Sequence, residues 1–181
     1  MKRRDEINEM ARLREMYLRS EPDYFQRRSD MPFELISMAQ CTTEDKNEML
    51  KTIAVFIALS ERTRRYGLLA LEQAADKLPS DFMKIGVNLV LEGLAPQLIE
   101  GILKNIIYIE SASGKELLEK LIIIEGILAV QADDNQLLVK TKLLSFLGEK
   151  YVVDSYNSDS EVNCLLKKYA ALNNFIADTA S

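Results

Sequence analysis

The sequence predicts an all-α protein, and three observations carry that expectation. Glycine and proline number only 7 and 4 in 181 residues, so turn-makers are scarce and long helices are favoured over many short strands. No stretch alternates apolar and polar residues between turn signals for more than a few positions. Lys150–Asp154 (KYVVD) is the one strand-like run, and a lone strand has nothing to pair with. Helix-start signals recur instead, with Thr42 or Thr43, Ser80 or Asp81, Ser113, Asp134 and Ser158 each ahead of a helix-forming stretch. The expected architecture is a helical bundle built around one long helix, about 43–78, with several shorter helices packed on it. Residues 1–42 read as an N-terminal helical arm and loop, and 43–181 as a single helical domain.

In order along the chain, residues 1–20 can form an amphipathic helix through Ile7, Met10, Leu13 and Tyr17. Its charges are mixed in sign, which suits a protein partner better than a membrane surface. Residues 21–42, with Pro22 and Pro32, predict a loop holding a short helix from Phe33 to Ala39. Thr42 or Thr43 then caps the long helix, with Glu44 and Asp45 in the first turn, where negative charge suits the dipole. Gly67 is tolerated inside a helix at about 1 kcal/mol against alanine. The helix is therefore expected to continue to Pro79, roughly 35 residues or about 50 Å.

A helix from Ser80 or Asp81 to about Leu91 follows, then Gly93 as a left-handed cap and Pro96 opening a helix to Glu110. Ser113 with Glu116 forms an expected capping box for 114–131, and Asp134 caps 135–147, which stops at Gly148. Ser158 with Glu161 is a second capping box for a last helix to about Ile176.

Composition narrows the function classes. Apolar residues make up 48% and charged residues 28%, a globular balance with one sizeable core. A net charge of −5 argues against nucleic acid as partner, since phosphate binding needs a concentrated cationic surface. The chain has no histidine, which removes the commonest general base and the commonest metal ligand together. Cys41 and Cys164 lack metal or redox spacing and fit reduced thiols in a bacterial-type cytoplasm. No apolar run reaches the roughly 20 residues needed to span a bilayer. There is no Ser/His/Asp set and no Gly-rich phosphate loop. Catalytic residues, cofactors and metals are therefore all expected to be none, and an enzyme is not expected.

Two blocks carry a family likeness. Arg62–Glu72 (RTRRYGLLALE) continues through Asp81–Leu103 (DFMKIGVNLVLEGLAPQLIEGIL), and a second block spans Ile122–Leu147. In that order they resemble the cytoplasmic portion of the flagellar stator protein MotA, in the MotA/TolQ/ExbB family, lacking the membrane helices. The resemblance covers roughly half the chain. In the family the ion-conducting membrane helices separate the two blocks; here only about 111–120 lies between them.

The resemblance implies a soluble interaction domain at the cytoplasmic face of the flagellar motor, meeting a FliG-like rotor protein or MotA/MotB-like stator proteins. It places the family's rotor-facing charges at Arg64 and Glu72, within a charged face that includes Arg62 and Arg65. Without the family's membrane helices, a monomer or a small homo-oligomer is expected. The other reading is a helical regulatory or signalling adaptor that reuses the scaffold away from motility. This chain departs from the family at Tyr66, at Ala95 before Pro96, and at Asp133 and Gln136, which stand for a Gly and a Pro. From the residues alone, Leu68, Leu69 and Leu71 read as core, Cys164 as a small core residue, Glu125 as amphipathic helix patterning or a salt-bridged residue, and Asp133–Asp134 as a turn.

Overall fold

Two side chains, Thr42 and Asp45, set where the helices begin in the computed structural model, which describes residues 39–172. Thr42 Oγ1 accepts from Asp45 N at 3.2 Å, and Asp45 Oδ2 accepts from Thr42 N at 3.2 Å. This reciprocal capping box satisfies two donors that a helix start leaves unpaired. It opens α1, Thr43–Tyr66. Seven more helices follow among the described residues: α2 (Ala70–Ala75), α3 (Asp81–Leu91), α4 (Pro96–Glu110), α5 (Gly114–Gln131), α6 (Gln136–Ser145), α7 (Glu149–Asp154) and α8 (Glu161–Leu172). No described residue is in a strand. The protein is an all-α helical bundle. The amphipathic helix expected in 1–20, the short helix from Phe33 to Ala39 and the end of the last helix beyond 172 lie wholly or mostly outside the described residues.

Two helices make the core. α1 buries Met49, Leu50, Ile53, Ala54, Phe56 and Leu59 at helical spacing, and α5, α6 and α8 all pack on it. α5 is buried along nearly its whole length from Leu117 to Val130, with only the charged Glu119, Lys120 and Glu125 interrupting. It lies against α1, α3, α4 and α6, which explains a helix apolar on every side. The α1–α5 approach is set by Gly126. A Cβ there would lie 2.5 Å from the fully buried Phe56 ring, so any larger residue would push the helices apart.

The expected long helix of 43–78 is instead 24 residues long, and the chain turns at Gly67. Gly67 takes φ 80 and ψ 172, a backbone region open essentially to glycine alone. Its N–H donates to Thr63 O at 2.7 Å and closes α1. Lys150–Asp154 is helical, within α7, because Tyr151 anchors it in the core and donates its hydroxyl to Asn47 Oδ1 at 2.9 Å.

Several caps shift by a residue or two from expectation. Ser113 holds the N-cap of α5 without a side-chain bond, and Glu116 pairs with Lys120 instead. Asn135, not Asp134, caps α6 by accepting from Leu138 N at 2.9 Å. Ser160, not Ser158, accepts from Asn163 N at the start of α8. Cys164 is exposed on α8 and not part of the core. Ser80 caps α3 and Pro96 opens α4 as the sequence predicts.

Candidate functional site at the α1–α2 corner

The corner begins with a buried cation. Arg62, in the last turns of α1, is only 3% exposed. Its Nε donates to Ala70 O at 2.9 Å and its Nη2 to Gln73 Oε1 at 2.7 Å, so the guanidinium ties the end of α1 to α2. A planar fork with several fixed donors suits this double contact better than a lysine would. Leu71, fully buried, anchors α2 in the core. Between them Gly67 O, Leu68 O and Leu69 O accept from Ala70, Leu71 and Glu72 N–H, forming a tight reversal.

That reversal pushes three large apolar side chains into solvent. Tyr66 is 55% exposed, Leu68 41% and Leu69 76%. Leu68 and Leu69 are therefore not core, as an unbroken helix would have made them; only Leu71 of the three is. The charges flanking this knuckle are of opposite sign on its two sides. Arg64 and Arg65 occupy the last turn of α1, and Glu72 the first turn of α2, each complementing its helix dipole.

The four residues singled out in the sequence thus divide. Arg62 is interior and positions the corner. Arg64, Arg65 and Glu72 are exposed around it, now on two helices rather than on neighbouring faces of one. Arg64 Nη1 donates to Asp133 O at 2.9 Å, which links the corner to the turn between α5 and α6. In that turn Asp133 takes φ 57, a left-handed conformation where glycine would be less strained. Arg65 pairs with Glu61, both partners largely in solvent, a pairing worth little to stability. Glu61 also accepts from Gln136 Nε2 at 2.7 Å. The corner is thereby braced by neighbours that keep their charged heads at the surface.

Beside this turn lies an ionic cluster that sequence reading only half anticipated. Lys142 Nζ lies 2.7 Å from Asp134 Oδ2 and 3.8 Å from Glu125 Oε1, with all three side chains mostly buried. Glu125 is salt-bridged, one of the two readings its setting in an apolar run allowed, and its partner sits on another helix. The eight-residue spacing of Asp134 and Lys142 across the α6 cap was the available signal. At the other end of α1, Lys115 lies 2.6 Å from Glu48 Oε2 and 3.9 Å from Asp45. Hydrogen bonds from Thr42 hold the Asp45 carboxyl below its ordinary value, and the Lys115 hydrogen bond does the same for Glu48.

Among the described residues no group of three or more His, Cys, Asp or Glu side chains is placed to hold a metal ion. No described helix is long and apolar enough to cross a membrane. Exposed apolar side chains between a basic and an acidic flank have the composition of a surface that can contact another macromolecule. Comparisons of the chain with protein families, with curated proteins and with solved structures find no match.

Proposed function

We propose that this chain is a non-enzymatic protein-interaction module that docks a component of the flagellar motor through the α1–α2 corner. One observation carries the reading: Tyr66, Leu68 and Leu69 stand exposed between Arg64 and Arg65 on one side and Glu72 on the other. Apolar area supplies affinity in such a surface, while the two signs of charge steer and orient the partner. The partner is a FliG-like rotor protein, which the resemblance of residues 62–72 to MotA suggests and whose facing charges would be opposite in sign. A MotA/MotB-like stator is the other motor component it would meet. The working location is the cytoplasmic face of the motor.

The test is recovery of partners from a motile bacterium that encodes the chain, using tagged wild type beside the double variant Arg64→Glu, Glu72→Arg. Rotor or stator proteins should be captured by the wild type and lost from the variant. Capture of neither motor component, or equal capture by both proteins, contradicts the proposal. Both positions are exposed, and matching thermal melts of the two proteins verify that the variant keeps the fold without the Arg64–Asp133 contact.

A further inference from the structure

The turn between α5 and α6 has the hydrogen bonds of a Schellman motif. Asp133 N–H donates to Val130 O at 3.2 Å and Asp134 N–H to Ala129 O at 3.0 Å, with Asp133 at φ 57. The ends of α3 and α4 are built the same way. Gly93 and Leu94 donate to Val90 O and Leu89 O, and Ser111 and Ala112 to Tyr108 O and Ile107 O. In those two turns the residue after the left-handed one is apolar, Leu94 or Ala112, as the motif frequently has it. At the end of α5 it is Asp134, a charge only 8% exposed.

That charge is held from inside. Lys142 Nζ, on α6, lies 2.7 Å from Asp134 Oδ2 and 3.8 Å from Glu125 Oε1 on α5. Apolar residues of similar volume often replace a buried ion pair at no loss of stability, so closing the helix does not by itself call for charges here. What the pair adds is direction. Apolar burial is non-directional, whereas a charged hydrogen bond at 2.7 Å fixes where Asp134 lies between α5 and α6.

Asp134 also carries one half of a peptide plane that reaches the α1–α2 corner. The peptide between Asp133 and Asp134 has its N–H on Ala129 O, back along α5. In a trans peptide the carbonyl points the opposite way, and Asp133 O accepts from Arg64 Nη1 at 2.9 Å. We propose that the Glu125–Lys142–Asp134 cluster holds Arg64 in its docking orientation, with Lys142 as a positioning residue of the corner. This rests on the docking role of the corner. An arginine already oriented forgoes the ordering loss of a free side chain, about two- to tenfold in affinity.

Two measurements on the full chain test this. The first needs no partner and follows solvent exchange of the Arg64 guanidinium protons by NMR. The uncharged variant Glu125→Gln, Asp134→Asn, Lys142→Met strands no charge and should exchange those protons about two- to tenfold faster than wild type. Lys142→Arg, which keeps the cation, should keep most of the protection. Should the triple variant melt below the assay temperature, Asp134→Asn alone gives the same direction of change. The second measurement is affinity for the purified rotor protein of the same bacterium. The triple variant should weaken it about two- to tenfold, and not at all beside Arg64→Ala, because a positioning residue acts through the one it positions. Unchanged exchange, or an equal loss of affinity with and without Arg64, overturns the positioning role. A wild type that does not bind the rotor protein contradicts the docking role of the corner instead, and exchange alone then decides whether the cluster holds Arg64.

Discussion

Arg62 shows how one side chain converts a break in a helix into a shaped surface. Buried and bonded to Ala70 O and Gln73, it holds two helices at the angle that exposes Leu68 and Leu69. Removing one partner of a buried, hydrogen-bonded charge leaves the other groups unsatisfied. Arg62→Ala should therefore lower unfolding stability by about 2–4 kcal/mol in urea titration. Arg62→Lys should recover only part of that, because an ammonium lacks the fork. A change within experimental error for Arg62→Ala would show that the corner is held by other contacts. Gly126 makes the complementary point in the core. Gly126→Ala drives a methyl into Phe56 and should cost about 1–3 kcal/mol. Phe56→Leu in the same chain should relieve part of that loss, which a double-mutant cycle would read as coupling.

At the level of elements, the first two turns of α1 tie stability to pH. Asp45 is held below its ordinary value of 3.8 and Glu48 below 4.5, so each titrates lower folded than unfolded. A depressed carboxylate contributes stability that is fully present above the unfolded value and is lost as pH falls through the folded one. Melting temperature followed against pH should show wild type above the Asp45→Asn, Glu48→Gln variant at neutral pH. The two curves should converge below the ordinary carboxylate range; a constant gap would disprove the linkage.

The same elements show what sequence patterns can and cannot carry. Thr42, Ser80, Gly93 and Pro96 were legible because caps and helix openings are settled by neighbours a few residues away. Gly67 was not, because a helix interior tolerates glycine, and only tertiary contacts decide whether the chain turns there. Once α1 ended at Tyr66, the exposure of Leu68 and Leu69 followed, and with it the apolar half of the candidate site. Arg62 and Glu72 read alike as surface charges, since nothing local distinguishes a clamp from a solvated side chain. In α7, packing of Tyr151 overrode the strand preference of Val152 and Val153.

The whole molecule combines two faces of different character on one helical scaffold. The α1–α2 corner has apolar side chains between opposite charges, suited to a distinct partner with a complementary pattern. The outer side of α4, through Gln97, Leu98, Gly101, Asn105, Tyr108 and Ile109, is exposed and uncharged. Binding at the corner should weaken with added salt, because exposed charges are screened. Titration of the purified chain with the purified rotor protein of the same bacterium tests the central claim most directly. The account predicts saturable binding that falls by about tenfold or more in the double variant Arg64→Glu, Glu72→Arg and that weakens as salt rises. Absence of binding, or an affinity the double variant leaves unchanged, would contradict it.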